Sequence, residues 1–280
     1  MQTVFVADVD DELARLRRLE ETSTRPGKEL DEGYARVRPS VMYMYTYVAL
    51  DFGLQWETVE NAIAVIDEYH ARTTAQARLF PHLAAVAAMS LAIKYTNIPN
   101  LKICALVRSC VFNLTRHPGS ASTPWSCNIN NKRVAAAEFI VFAALEWSMS
   151  SARASNFLRA FFLQGLDLGP ETAKALSTEA LLISKLAMLV GLSSVHRGSV
   201  LAAASIAAAR RVLHMEPMAS EELRARFDLD ESAIASCVDE MTRAYHLPNQ
   251  HMQVHEPGGV LEISPTGVLA APGAPVEVAT

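Results

Sequence analysis

The residue types that commonly perform catalysis or bind metals are scattered along this sequence. The eight His residues show no ligand spacing, and the four Cys residues lack the CxxC pair typical of zinc sites. Paired acids, such as those at 10–11 and 221–222, stand at predicted helix starts, where the helix dipole favours them. No phosphate-binding glycine loop, HExxH motif, EF-hand loop or GxSxG motif occurs. We therefore expect a protein that is not an enzyme and that binds no metal or other cofactor.

The composition favours a folded helical protein in a reducing compartment. Half of the 280 residues are hydrophobic, and the sequence carries only 12 Gly and 13 Pro. The formal net charge is -5, so we do not expect nucleic acid as a main partner. The N-terminal residues lack the features of a signal or transit peptide, and no segment has the length of a membrane span. The expected location is the nucleus and cytoplasm.

Two Ala-rich segments, residues 79–95 and 198–213, are apolar on nearly every helical face and end in positive charge. Helices of this kind must be buried by other helices. Two such helices in one chain indicate two similar helical units. The fold class that follows is all-α.

The rest of the chain repeats apolar residues at helical spacing. One N-terminal helix is predicted at 10–21, followed by two sets of five. The first set covers residues 37–52, 57–70, 79–95, 101–113 and 132–146. The second set covers residues 156–163, 171–190, 198–213, 220–227 and 231–245.

Two segments are predicted to be non-helical. Residues 117–131 are rich in Pro, Gly, Ser and Asn, which predicts a loop or insertion. The helical pattern ends at Pro248, and the closing residues are predicted to form a disordered tail.

Several stretches in order resemble the cyclin family. They are residues 37–52, LQWETVENAIAVIDEY, LAAVAAMSLAIKY and AAAEFIVFAALEW, which resemble a first cyclin box with its characteristic Arg38, Asp67, Lys94 and Glu138. SVLAAASIAAA stands where the second cyclin fold carries a similar helix, and DDELARLRRLEE is similar to the N-terminal helix of mitotic A- and B-type cyclins. The resemblance implies an N-terminal helix and linker at 1–36, a first box at 37–149, a second fold at 150–250 and a tail at 251–280.

The resemblance also implies a function, as the regulatory subunit of a cyclin-dependent Ser/Thr kinase. The kinase catalytic subunit would form a heterodimer with this chain, and the chain would position the kinase C-helix and activation segment in cell-cycle control. Lys94 and Glu138 match the kinase contact of the family. Their expected apolar neighbours in that contact are Leu91, Tyr95, Phe142, Trp147 and Met149.

A second site implied by the resemblance is the groove that binds docking peptides of kinase substrates. Val37, Arg38, Val41 and Met44 match this groove, although the Trp of the family pattern is missing. The chain also departs from the family after Lys94, where Tyr95, Thr96 and Asn97 replace the usual acids.

Other interpretations of the residues stay open. Lys94 also fits a charged side chain that reaches solvent from a buried helix end, and Glu138 fits an ordinary acid near a helix start. Tyr95, Phe142 and Trp147 at helical spacing also fit core residues. Two further functions are a cyclin-fold transcription factor that binds nucleic acid, and a helical adaptor that binds protein without a kinase.

Overall fold

The computed structural model describes residues 3–22, 32–74, 77–96, 98, 101–116, 129–149, 152–163, 168–217, 229, 231–246, 253–255 and 262–264. Within these ranges the regular structure is helical apart from two strands of three residues each. The all-α class predicted from the sequence is confirmed. No helix among the described residues has the length and hydropathy that crossing a bilayer requires.

The described residues in the first part of the chain form six helices. They are α1 (Thr3–Thr22), α2 (Glu32–Phe52), α3 (Trp56–Arg72), α4 (Pro81–Tyr95), α5 (Ile103–Arg116) and α6 (Asn131–Ala144). Pro81 at the first position of α4 suits a helix start, where its missing N–H is no loss. Asn130 caps α6 by accepting a hydrogen bond from the Arg133 amide.

The second part contributes five described helices and the strand pair. They are α7 (Ala154–Leu163), α8 (Pro170–Leu189), α9 (Leu192–Val195), α10 (Gly198–Val212), α11 (Glu231–His246), β1 (Gln253–His255) and β2 (Glu262–Ser264). The strands pair antiparallel, with Val254 opposite Ile263. They lie in the segment predicted to be a disordered tail, whose other residues from 247 to 280 lie outside the described ranges.

The predicted helices differ from the observed ones mainly at their ends. α1 begins at Thr3 and α2 at Glu32, several residues earlier than their apolar patterns indicated. α6 ends at Ala144, two residues before the predicted end, and the one-turn α9 was not predicted. The helix predicted at 220–227 and most of the predicted insertion, residues 117–128, lie outside the described residues.

Two hydrophobic cores lie along the chain, one for each predicted unit. α2 to α6 surround the first, with α4 at its centre and buried from Ala84 to Ile93. α7, α8, α10 and α11 surround the second, where the Ala-rich α10 is central. α1 buries Val9, Leu13 and Leu16 in the second core, although it precedes the first unit in sequence.

Arg38 links the first unit to the second. Its guanidinium donates to both carboxylate oxygens of Asp67 at 3.1 and 2.9 Å, and to the carbonyls of Met188 and Leu189 at 2.9 Å. Those two carbonyls belong to the last turn of α8, the end at which a helix dipole favours a cation. Gly191 follows in the left-handed conformation, with Arg38 Nη1 only 3.4 Å from where a Cβ would lie.

Two buried carboxylates make the opposite kind of contact, at helix N-termini. Glu60 of α3 accepts hydrogen bonds from the amide and hydroxyl of Ser155 at the start of α7. Glu20 of α1 accepts from the amide of Ser199 at 2.8 Å and from its hydroxyl at 2.6 Å, at the start of α10. Each anion therefore meets the positive end of a helix dipole and unsatisfied amides. These contacts tie α1 and both units together.

Candidate functional site

Lys94 and Glu138 form an ion pair across two packed helices. Lys94 lies in the last turn of α4 and Glu138 in the second turn of α6, and the Lys94 Nζ lies 2.5 Å from Glu138 Oε2. The Lys94 side chain is 59% exposed, whereas the Glu138 side chain is 11% exposed. The sequence named both residues, and the structure brings them together.

The ion pair leaves hydrogen-bonding capacity unused. Glu138 Oε1 is buried and accepts no hydrogen bond from any described residue. The exposed Lys94 ammonium has three donors, of which the structure assigns one to Glu138. A buried acceptor without a donor is costly, so a partner that donates to Oε1 would gain free energy on binding. The same partner could offer a carbonyl or carboxylate oxygen to Lys94.

Exposed aromatic residues lie near the two members of this pair in the sequence, on α4, on α6 and in the turn after α6. Tyr95 is 54% exposed, Trp147 is 55% exposed and Phe139 is 63% exposed. The Trp147 ring packs edge-on against Phe139 and Phe142, with centroid distances of 5.1 and 5.2 Å. Exposed aromatic clusters of this kind mark protein interaction sites. We call Lys94, Tyr95, Glu138, Phe139, Phe142 and Trp147 the α4–α6 surface.

An unusual turn fixes Trp147 in its outward position. Glu146 and Trp147 both adopt left-handed backbone conformations, with φ of 53° and 63°. The Trp147 amide donates to the Phe142 carbonyl at 2.9 Å, while Leu145 stays buried in the first core. Left-handed residues other than Gly cost roughly 1 kcal/mol each. The turn follows the end of α6 at Ala144 and carries the exposed Trp147.

Leu91 and Met149, also predicted for this site, lie deeper. Leu91 is buried in α4 as part of the first core, and Met149 packs partly buried against that core. Direct contact with a partner stays a prediction for both.

The residues predicted to line a peptide groove are largely internal. Val41 and Met44 are fully buried in the first core. The Arg38 guanidinium donates its hydrogen bonds to Asp67 and to carbonyls at the end of α8. Only Val37 is partly exposed. The reason is that α2 packs against α3, α4 and α5, which enclose these positions. In this structure they serve folding, and peptide binding at these positions stays a prediction.

Phe139 and Ile140 are exposed on α6, and neither was named as a candidate site residue from the sequence. Ile140 is exposed as well as Phe139, yet both lie in the run Phe139 to Phe142, which sequence analysis assigned to helical packing. Four large apolar residues in succession span more than one helical face, so they cannot all enter one core. This run of apolar residues was the feature of the sequence from which an exposed apolar face on α6 could have been predicted.

The described residues hold no group of three or more His, Cys, Asp or Glu that could bind a metal ion. Burial lowers the pKa of His82 to about 4 and raises the pKa of the Cys237 thiol to about 12. Both shifts favour the neutral form, which suits core residues.

Two protein families match the chain, the cyclin N-terminal domain over residues 12–150 and the cyclin C-terminal domain over residues 154–257. The chain belongs to the cyclin family. The predicted tandem cyclin-box fold is thereby confirmed. The α4–α6 surface lies in the N-terminal of these two domains.

Solved structures similar to this cyclin share its fold at low sequence identity. A viral cyclin from Herpesvirus saimiri has a TM-score of 0.55 at 12% identity, covering 85% of this chain and 97% of the viral one. A chain of the yeast RNA polymerase II CTD kinase complex CTDK-1 has a TM-score of 0.55 at 16% identity, with 83% and 71% covered. A chain of the Chaetomium thermophilum CAK complex bound to ATP-γ-S has a TM-score of 0.53 at 13% identity, with 88% and 78% covered. No curated protein matches this cyclin.

Proposed function

We propose that this cyclin is the non-catalytic regulatory subunit of a cyclin-dependent Ser/Thr kinase and binds it through the α4–α6 surface. The observation that carries the proposal is the Lys94–Glu138 pair, with a buried acceptor that no described residue satisfies and an exposed aromatic cluster on the same helices. The fold shared with a viral cyclin, and with chains from the CTDK-1 kinase complex and the CAK complex, supports it.

The proposed mechanism is a shift between two kinase states. A protein kinase is active only when its C-helix Glu pairs with the β3 Lys, which requires the inward position of that helix. A regulator that binds the inward state more tightly raises its population without touching the reacting atoms. Changing the ratio from 1:99 to 99:1 takes a difference of about 5.5 kcal/mol in binding free energy. A few buried aromatic anchors are commonly worth at least about 2 kcal/mol each.

The chemistry of the surface fits this task. Phe139, Phe142 and Trp147 offer apolar area held by mutual ring contacts, so little side-chain entropy is lost on binding. Lys94 and Glu138 offer a donor and an acceptor that fix the register of the partner. Apolar rings together with a donor and an acceptor suit a partner surface made of a helix and an adjoining loop with exposed peptide groups.

The finer parts of the proposal rest on the sequence resemblance. We place the activity in cell-cycle control, because residues 10–21 are similar to the N-terminal helix of mitotic A- and B-type cyclins. The proposed location is the nucleus and cytoplasm. Docking peptides of kinase substrates are a further proposed partner, and their binding would require exposure of a groove beside α2.

The test is reconstitution with purified kinases. The full chain is mixed with a panel of cyclin-dependent kinase catalytic subunits, and phosphorylation of a Ser/Thr peptide substrate is measured with and without it. We expect at least one kinase to bind and to be stimulated by about 100-fold, the rise in active population that the change from 1:99 to 99:1 produces. Absence of binding and stimulation across the panel would overturn the proposal, and DNA binding or an adaptor role would then be measured.

A further inference from the structure

Charge is distributed unevenly along this chain. Residues 69–137 contain eight Lys and Arg residues and no Asp or Glu, although the whole chain has a formal net charge of -5. α5 lies entirely within this segment, so every charged side chain on the helix is a cation. A surface of one charge sign attracts ligands of the opposite sign.

The cations of this segment differ in whether an acid neutralises them. Arg72 and Lys94 each form an ion pair with an acid from outside the segment. Arg108 and Arg116, which are exposed on α5, form no ion pair with any residue that the structure describes. A guanidinium stays protonated across the physiological pH range. α5 therefore carries two permanent charges without a counter-ion among the described residues.

Arg108, Phe112 and Arg116 follow one another at intervals of four residues and so share one face of α5. We call these three residues the α5 ridge. The Phe112 ring is 51% exposed, and the guanidinium carbon of Arg116 lies 4.1 Å from its centroid. Arg108 Nε donates to the Cys104 carbonyl of the same helix at 3.3 Å. These contacts leave most N–H donors of both guanidinium groups available to a ligand.

The acid that α5 contacts by hydrogen bonds is Asp51 of α2. Its carboxylate accepts from the Ser109 hydroxyl at 2.5 Å and from the Asn113 side-chain amide at 3.2 Å. Neutral donors thus hold Asp51, and it forms no ion pair with the α5 ridge. Among the described residues no carboxylate pairs with the ridge, so a counter-ion has to come from a partner.

We propose that the α5 ridge binds an acidic helical segment of a partner protein, with an apolar side chain against Phe112 and a carboxylate at each arginine. The two arginines are about 12 Å apart along the axis of α5, and a helix that carries acids eight residues apart matches this spacing. Charge complementarity fixes the register of such a helix. The proposal does not rest on kinase binding.

Nucleic acid fits the ridge less well than an acidic protein segment does. Outside residues 69–137 the chain carries all 30 of its acids and 17 Lys and Arg residues. A long polyanion that extends beyond the ridge would meet this acidic remainder, whereas a short acidic helix contacts the ridge alone. Single bases would also find one exposed ring rather than a series of stacking platforms.

The test measures binding of a fluorescent, Ala-rich helical peptide to the full chain by anisotropy. The peptide carries Glu-Ala-Ala-Ala-Leu-Ala-Ala-Ala-Glu at its centre, and the matched controls replace both Glu by Lys, or Leu by Ala. We expect both controls to bind at least about fivefold more weakly, and added salt to weaken the acidic peptide. Absence of binding, equal binding of the Lys peptide, or tighter binding of a single-stranded oligonucleotide would overturn the proposal.

A charge exchange tests the two arginines. The double variant Arg108→Glu/Arg116→Glu should bind the acidic peptide at least about tenfold more weakly and the Lys peptide more tightly than the wild type does. The control Arg36→Glu/Arg159→Glu changes the net charge equally at exposed arginines of α2 and α7. Circular dichroism checks that both variants are folded. Equal losses in the two double variants, or no gain for the Lys peptide, would contradict the assignment.

Phe112→Ala tests the ring between the arginines. It should weaken binding of the acidic peptide by about tenfold, because the apolar contact of the peptide Leu is lost. The matched control is Phe80→Ala, which removes an exposed Phe at the start of α4. Equal affinity of the two variants would contradict the role of Phe112. No kinase is present in these measurements, so their failure leaves the proposed function untouched.

Discussion

The ammonium of Lys94 lies 2.5 Å from the carboxylate of Glu138, and the other carboxylate oxygen of Glu138 is buried without a donor among the described residues. The pair joins the end of α4 to α6, the helix whose outer face carries Phe139 and, beyond its end, Trp147. In the free chain, one oxygen of Glu138 therefore lacks a hydrogen-bond donor, and the aromatic rings nearby are exposed to water. A bound partner can donate to the carboxylate and cover the rings at the same time.

Phe139→Ala should reduce kinase affinity with little effect on folding. The ring is mostly exposed, so its removal loses little buried area in the free chain, whereas truncating a central aromatic anchor costs about 2 kcal/mol of binding free energy. The measurement is the dissociation constant of the kinase complex by calorimetry. The matched control is Phe112→Ala, an exposed Phe on α5 outside the α4–α6 surface. Equal affinity of the two variants would remove Phe139 from the interface.

Arg38→Ala should destabilise the protein by about 3–5 kcal/mol, because it removes the cation that pairs with the buried Asp67 carboxylate and the donor to two helix carbonyls. Asp67 then keeps the hydrogen bond from the Tyr34 hydroxyl but has lost its counter-ion. The measurement is the free energy of unfolding in urea. Arg36→Ala is the matched control, since Arg36 pairs with exposed Glu32 on the same helix. That control should change stability by less than about 0.5 kcal/mol. Similar losses in both variants would show that the Arg38 contacts do not stabilise the fold.

Gly198→Ala should also destabilise the fold, by about 1–3 kcal/mol. A Cβ at this position would lie 2.5 Å from the Ala152 carbonyl oxygen, so the start of α10 must move away from the segment before α7. Gly169→Ala is the control, because nothing lies within 4 Å of a Cβ there. Thermal unfolding compares the two, and a Tm for Gly198→Ala equal to that of Gly169→Ala would contradict the close approach.

His82 should make stability fall as the pH is lowered. Burial lowers its pKa from 6.5 to about 4, so between these values the unfolded chain takes up a proton that the folded chain does not. The contribution of His82 is present above pH 6.5 and is lost by up to about 1.4 kcal/mol per pH unit on acidification towards pH 4. His82→Gln should show a shallower pH dependence in urea unfolding at pH 7.5, 6 and 5. Parallel curves for the wild type and the variant would contradict this.

Most helices could be predicted from the sequence because their apolar residues recur at helical spacing. α4 and α10 are apolar on nearly every face, which only a central position in a helical core can satisfy. Helix ends were less predictable. α6 ends at Ala144 because the Glu146–Trp147 turn adopts left-handed conformations, for which neither residue type is a signal.

The candidate site was only partly predictable for a related reason. Periodicity tells which residues share a helical face, but it does not tell whether another helix covers that face. Phe139 and Ile140 fit a core pattern and are exposed, whereas Val41 and Met44 were expected at a groove and are buried. Lys94 and Glu138 came from the family resemblance, since nothing in a spacing of 44 residues indicates a contact between them.

The most direct test of the proposed function compares the wild type, Lys94→Ala, Glu138→Ala and the control Lys132→Ala in binding and activating the kinase found by reconstitution. Lys132 is an exposed residue of α6 outside the α4–α6 surface. With folding checked by circular dichroism, we expect the two site variants to lose at least about 30-fold in affinity, equivalent to about 2 kcal/mol, and the control to match the wild type. If both site variants bind and activate the kinase as well as the wild type does, the α4–α6 surface is not the kinase contact.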